Sequence, residues 1–169
     1  MKKKKITLAT QNKIDKVNKI MLFAIVVCCA SPFFYFVYLG IKLPGVDIYA
    51  YIQEDAYTLI NMIAAFLNPF VGLVINYMRE KLKKFEEPSV IYRNLFILLI
   101  SQMLMLNTFY IMLIIFLLYK IHGIYNQPFS IAWKSIKFKN FIQSSSASLT
   151  VLSGYVFVGL LLVRIMFFV

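Results

Sequence analysis

Polar and small residues recur at steps of three or four within an otherwise apolar stretch between residues 53 and 77. On an α-helix these steps place them in one stripe, while Leu, Ile, Met, Phe and Val occupy the other faces. Lipid offers no hydrogen-bonding partner to an amide, so the pattern predicts a membrane helix whose stripe faces protein or water. The stripe consists of Glu54, Thr58, Asn61, Ala65, Asn68, Gly72 and Asn76.

Three further apolar runs are long enough to cross a bilayer, whose hydrocarbon core is about 30 Å thick. The four predicted spans cover approximately residues 20–41, 55–78, 94–119 and 146–168. Hydrophobic residues make up 61% of the chain, above the share of about half in soluble domains. The sequence therefore predicts an all-α polytopic integral membrane protein, built as a single membrane domain.

Basic residues predict the orientation of these four spans. Seven lysines precede the first span, and five basic residues lie between residues 79 and 93. Lys and Arg concentrate in cytoplasmic loops, so we expect both termini to be cytoplasmic. The segment 120–142 falls outside on this path although it carries four lysines and several aromatic residues. We expect this segment to lie in the head-group region or to re-enter the bundle.

The net charge of +11 indicates contact with anionic lipid head groups. Nucleic acid is not an expected partner, because the basic residues flank apolar helices. The expected partners are the lipid bilayer and other membrane protein subunits. The predicted head-group contacts are Lys13, Lys16, Lys19, Arg79, Lys81, Lys83, Lys84, Trp133, Lys134, Lys137 and Arg164.

Two other spans also carry polar or small residues suited to helix packing. In the third span these are Ser101, Gln102, Asn107 and Thr108, and in the fourth they are Ser146, Thr150, Ser153 and Gly154. Together with Glu54, Thr58, Asn61, Asn68, Gly72 and Asn76, they are the candidate packing or pore-facing residues. Interhelical hydrogen bonding is the favoured role of the stripe, and lining a path is the alternative. Glu54 and Asp55 are interpreted as a helix N-terminal acid pair, against an entry site for cations.

Chemistry that would identify an enzyme is missing from the sequence. His122 is the only histidine, no cluster has metal-ligand spacing, and no nucleophile has a base in reach of its span. Cys28 and Cys29 are adjacent in the first span and are interpreted as small apolar residues. The sequence therefore predicts a non-enzymatic protein with no catalytic residues, no metal site and no cofactor.

The leading hypothesis is an integral membrane subunit of a larger complex, such as a secretion or transport machine. Polar faces on three helices, with short loops between them, favour assembly with partners. One alternative is a small homo-oligomeric channel or transporter lined by the second span. Another is an immunity or regulatory membrane protein. The expected location is the bacterial cytoplasmic (inner) membrane.

Overall fold

The computed structural model describes residues 8–133 and 138–168, and within these ranges the chain is helical without any strand. Four helices are long and apolar enough to cross a membrane, so the predicted all-helical fold with four long apolar helices is confirmed. The elements in chain order are α1 (Leu8–Lys42), α2 (Ile48–Glu54), α3 (Ala56–Lys83), α4 (Pro88–Leu104), α5 (Thr108–Tyr125), a 3₁₀ turn (Phe129–Ala132) and α6 (Phe138–Phe168).

Two acidic residues determine where α2 and α3 begin. The Asp47 carboxylate accepts a hydrogen bond from the Tyr49 N–H at 3.0 Å, and the Asp55 carboxylate accepts one from the Thr58 N–H at 3.2 Å. Each satisfies a backbone donor that a helix N-terminus leaves free. Asp55 has an extended backbone and separates the two helices. Glu54, the first member of the predicted stripe, is therefore the exposed last residue of α2 and does not lie on α3.

The single helix predicted over 94–119 is two helices, α4 and α5, which form an antiparallel hairpin. Leu106 adopts φ +50°, and the Asn107 N–H bonds the Gln102 carbonyl at 3.1 Å, which closes α4 with a left-handed cap. At the other end of the hairpin, the Tyr125 hydroxyl donates to the Glu86 carbonyl at 2.9 Å. The end of α5 therefore returns to the start of α4.

One end of the bundle gathers the basic residues, and we call it the basic end. There the Lys13 ammonium lies 3.5 Å from the Gly123 carbonyl oxygen, and Arg79 Nε donates to Asn18 Oδ1 at 2.6 Å. These contacts join the start of α1 to the ends of α5 and α3. The start of α6 is at the same end, because Arg93 of α4 bonds Ser144.

Since α6 runs from the basic end to the opposite end, the first and last described residues lie at opposite ends of the bundle. The prediction that both termini share one side is not confirmed, because the region predicted as one crossing is a hairpin that starts and ends at the basic end. The same hairpin brings the start of the segment 120–142 back to the basic end.

The hairpin is much shorter than the helices around it. At roughly 1.5 Å per residue, α4 and α5 are about 26 Å long, whereas α1 is about 52 Å long. The Tyr110 hydroxyl, near the start of α5, lies 3.5 Å from the Val27 carbonyl in the middle of α1. The hairpin therefore ends near mid-bundle, and α1, α3 and α6 extend beyond it.

The guanidinium of Arg93 is buried, with 4% of the residue exposed. Its Nε donates to the Ala132 carbonyl at 3.1 Å, its Nη1 donates to Ser144 Oγ at 2.6 Å, and it lies 5.5 Å from the centre of the Phe141 ring. Arg93 thus connects α4 to the 3₁₀ turn and to the start of α6.

Candidate functional site

Where the hairpin ends, a cleft of about 850 Å³ opens between α1, α3 and the α4–α5 turn. This volume lies in the range of about 300 to 1,000 Å³ that small-molecule sites occupy. Its polar lining residues are Ser31, Tyr35, Tyr38, Lys42, Asp55, Tyr57, Thr58, Asn61, Asn68, Asn107 and Tyr110. We call this feature the polar cleft, and the end of the bundle that holds it the cleft end.

The outer part of the polar cleft carries one negative and one positive charge. The Asp55 carboxylate accepts hydrogen bonds from both the hydroxyl and the N–H of Thr58. These bonds, with the nearby Lys42 ammonium, hold the pKa of Asp55 below its usual range. Lys42 lies 5.9 Å from the centre of the Tyr38 ring. The Asp55 carboxyl is therefore ionised at neutral pH, and neither Asp55 nor Lys42 joins one of the ion pairs that the described residues form.

The floor of the polar cleft is a hydrogen-bonded cluster that joins three helices. Asn68 of α3 is 3% exposed; its Nδ2 donates to Ser31 Oγ of α1 at 2.7 Å. Its Oδ1 accepts from the Tyr155 hydroxyl of α6 at 2.6 Å. Gln102 is fully buried beside Tyr155, and its amide has no hydrogen bond of good geometry within the described chain.

Two side-chain amides in the polar cleft have no hydrogen bond to the described part of the chain. Asn61 and Asn107 are half-buried, and among the described residues their side chains form no hydrogen bond. A half-buried amide that the protein does not satisfy is available to water or to a ligand. Asn61 and Asn68 belong to the same stripe of α3, but only the Asn68 amide is hydrogen-bonded within the described chain.

Beyond the floor, toward the basic end, α1 and α3 pack tightly. A Cβ at Gly72 would lie 3.2 Å from the Cβ of Cys28 and 3.4 Å from the Ile25 carbonyl oxygen. The interface also buries the apolar side chains of Val17, Met21, Ala24, Val71, Ile75 and Met78. The polar cleft therefore ends at Asn68 within the single chain.

The other predicted packing residues lie in several different environments. Asn76 accepts from Arg79 at 3.2 Å, the buried Ser101 bonds its own helix, and Thr108 is exposed at the turn. In α6, Gly154 packs on Leu67 of α3. Three members of the predicted α6 row face outward, namely Ser146, Thr150 and Ser153.

The predicted head-group contacts lie mainly at the basic end. Lys13 and Lys16 line a groove with α5, Lys19 and Lys84 are exposed, and Arg79 bonds Asn18.

Two lysines after Arg79 form ion pairs, Lys81 with Glu86 and Lys83 with Glu80. Trp133 is exposed near Phe141.

Lys134 and Lys137 lie outside the described residues. Arg164 is exposed on the part of α6 that approaches the cleft end. We expected it on the same side as the other predicted head-group contacts, and it lies away from the basic end.

Several residues of the site were not singled out from the sequence. Ser31 and Tyr155, which hold Asn68, stand alone among apolar neighbours and form no periodic pattern. In α6 the buried hydroxyl is Ser148, which donates to Asn94 at 2.7 Å. Ser144-Ser145-Ser146 gives no sequence signal for which hydroxyl faces inward.

Within the described residues, no three His, Cys, Asp or Glu side chains come together in a group that would hold a metal ion. No family model, curated protein or solved structure matches the chain. The polar cleft and the distribution of charge are therefore the features of the chain that bear on its function.

Proposed function

We propose that the chain is a non-enzymatic integral membrane protein of the transport class that binds a small zwitterion, such as a free amino acid, in the polar cleft. The observation that carries the proposal is the unpaired amide of Asn61, which lines the cleft together with Asp55 and Lys42. The Asp55 carboxylate suits the ligand's ammonium group, and Lys42 suits its carboxylate. A zwitterion neutralises both charges, and Asn61 and Asn107 supply hydrogen bonds to it.

A thermal-stability screen of the purified full chain against single amino acids and betaine tests this proposal. A ligand that binds only the folded protein raises its unfolding temperature. We expect at least one zwitterion to stabilise the wild type and to lose that effect in Asn61→Leu. Asn12→Leu is the matched control, because Asn12 is exposed on α1 near the basic end. Equal stabilisation of all three proteins would place the ligand outside the polar cleft.

We further propose that the basic end faces the cytoplasm of a bacterial cell and that the polar cleft opens on the other side of its membrane. The orientation follows from the excess of Lys and Arg on cytoplasmic surfaces. Lys42 and Arg164 belong to the half of the bundle at the cleft end. The described basic residues at the basic end are Lys13, Lys16, Lys19, Arg79, Lys81, Lys83, Lys84, Arg93 and Lys120.

Cysteine labelling in intact cells tests the orientation. In a Cys28→Ser/Cys29→Ser background, Gly45→Cys should react with a membrane-impermeant maleimide from outside, and Asn12→Cys only after lysis. A reporter fused after residue 169 should be external, because α6 ends away from the basic end. The reverse labelling pattern, or an internal reporter, would contradict the proposed path.

The second candidate function is a subunit of a larger membrane complex, and it is favoured by the outward row on α6. The outward row consists of three small residues on a helix whose other outward residues are mostly bulky, namely Ser146, Thr150 and Ser153. The Thr150 and Ser153 hydroxyls donate to carbonyls of their own helix at 3.0 and 2.8 Å, so these two hydroxyls need no polar partner. It gives a partner helix room for close approach.

Mild-detergent purification with mass determination tests the subunit proposal. We expect stoichiometric partner chains that are lost in Thr150→Trp, which fills the row. Gly159→Trp is the control on α6, because a Cβ there meets no atom within 4 Å. A homogeneous single chain, or partners retained in both variants, would contradict an interface at this row.

A further inference from the structure

At the basic end, α1 and α5 enclose a groove of about 520 Å³ that is distinct from the polar cleft. Lys13 and Lys16 are three residues apart on one face of α1, and Lys120 contributes a third ammonium from α5. None of the described residues that line the groove is acidic. The nearest acidic residue along α1, Asp15, accepts a hydrogen bond from Gln11.

The positions of these lysines restrict where their charges lie. Lys13 Nζ is 3.5 Å from the Gly123 carbonyl oxygen, across the mouth of the groove. Lys120 Nζ lies 5.0 Å from the centre of the Phe116 ring and 5.7 Å from that of Tyr119. The three ammonium groups repel one another, so an anion between them is favourable.

Apolar side chains continue the groove toward the middle of the bundle. Ile20 lines the groove one turn beyond Lys16 on α1. Phe116 lies beside the groove lining, one turn deeper than Lys120 on α5, because α5 runs toward the basic end. Phe116 is partly exposed. The order of ammonium groups at the end and apolar residues deeper matches the head and chains of a phospholipid.

We propose that the groove is a binding site for one anionic phospholipid, whose phosphate is held by Lys13, Lys16 and Lys120 and whose acyl chain lies along Ile20 and Phe116. The site rests on the proposal that the bundle spans a bilayer with its basic end at the head groups. It is independent of the ligand in the polar cleft. A soluble phosphate offers the same anionic chemistry, so the test separates the two sources.

The test is native mass spectrometry of the full chain in detergent with equal amounts of phosphatidylglycerol and phosphatidylcholine. Two triple variants with the same change of charge are compared with the wild type. The groove variant is Lys13→Gln/Lys16→Gln/Lys120→Gln, and the control at the same end is Lys19→Gln/Lys83→Gln/Lys84→Gln. A third variant with arginine at the three groove positions keeps the charge.

We expect one tightly bound phosphatidylglycerol in the wild type, in the control and in the arginine variant. One lysine near an anionic lipid changes affinity about fivefold. The preference of the groove variant for phosphatidylglycerol over phosphatidylcholine should therefore fall at least about tenfold. An equal loss in groove and control variants would show diffuse attraction and overturn the site. Equal binding of both lipids by the wild type would also overturn it.

Competition with excess inorganic phosphate distinguishes the two anion sources. We expect phosphatidylglycerol to stay bound, because inorganic phosphate cannot occupy the apolar part of the groove. Displacement of the lipid by phosphate would overturn the lipid assignment. Circular dichroism checks that the variants fold, and if the groove variant does not, Lys16→Gln alone should lose about fivefold. Alkaline extraction of membranes tests spanning separately: a protein that stays in the membrane without lipid preference overturns only this site.

Discussion

The cluster around Asn68 allows the sharpest test of how the bundle is held together. Asn68→Leu keeps the branching and the number of heavy atoms of the side chain but removes two hydrogen bonds, one to Ser31 of α1 and one from Tyr155 of α6. Asn61→Leu makes the same chemical change seven residues earlier in α3, where the amide has no partner among the described residues. Comparing the two variants isolates the effect of the hydrogen bonds.

The expected size follows from the number of bonds and their burial. Hydrogen bonds between membrane helices contribute about 0.6 kcal/mol on average and about 2 kcal/mol at most. Two bonds, with the Ser31 and Tyr155 hydroxyls left buried, give a loss of about 1–3 kcal/mol in Asn68→Leu. Asn61→Leu should change the free energy of unfolding by less than about 0.5 kcal/mol.

Reversible unfolding in mixed detergent micelles measures the free energy of unfolding of both variants. Circular dichroism reports the loss of helix, and maleimide labelling of the fully buried Cys28 in a Cys29→Ser background reports the opening of α1 from α3. The reasoning is refuted if Asn61→Leu destabilises as much as Asn68→Leu, or if Asn68→Leu has no effect.

Three further predictions use the same purified protein. Gly72→Leu should cost about 1–3 kcal/mol in the unfolding assay by crowding Cys28, whereas Gly159→Leu, in open space, should be near neutral. Leu106→Gly should stabilise by up to about 1 kcal/mol, because Leu106 is exposed and has φ +50°; a loss of stability would contradict this. Because the Asp55 pKa is lowered, its charge is lost only as pH falls below its usual value of about 4. Zwitterion binding should therefore hold from neutral pH down to that range and be weak at every pH in Asp55→Asn, whereas a fall near pH 6 to 7 would exclude Asp55.

Much of α3 could be predicted from the sequence, because a polar side chain in an apolar helix needs a partner or water. Thr58, Asn61 and Asn68 are such residues, and all three line the polar cleft. The sequence pattern could not tell which amide is satisfied inside the chain. The partners, Ser31 and Tyr155, are distant in sequence and isolated in their own helices, so only the packing of α1 and α6 against α3 reveals them.

The α4–α5 hairpin was not predicted, because its turn contains neither Gly nor Pro and its one turn-favouring residue, Asn107, was interpreted as a packing residue. The residues Met103 to Leu106 are apolar and include neither Gly nor Pro, so the hydrophobic run looks continuous. The turn places the apolar Leu106 in a left-handed conformation that glycine normally occupies. The tertiary contact between Tyr125 and Glu86 supports the hairpin at its other end.

The hairpin changes where Lys120, one of the lysines in the segment 120–142, lies in the bundle. Counted over four alternating spans, the lysines of the segment 120–142 conflicted with the basic residues near the first span. Because the hairpin returns to the end at which it started, Lys120 lies at the same end of the bundle as Lys13. The sequence pattern indicated one continuous helix where the chain forms a hairpin, and this difference moves Lys120 to the basic end.

The position of Arg93 has a consequence for how the chain tolerates change. Its guanidinium bonds the Ala132 carbonyl and Ser144 Oγ, which are twelve residues apart in sequence, so it fixes both ends of the connection into α6. Loop-closure entropy grows only with the logarithm of loop length, and doubling the connection costs about 0.6 kcal/mol. An epitope or affinity tag inserted between residues 133 and 138 should therefore leave the bundle intact, which makes this connection a suitable handle on the proposed cytoplasmic side.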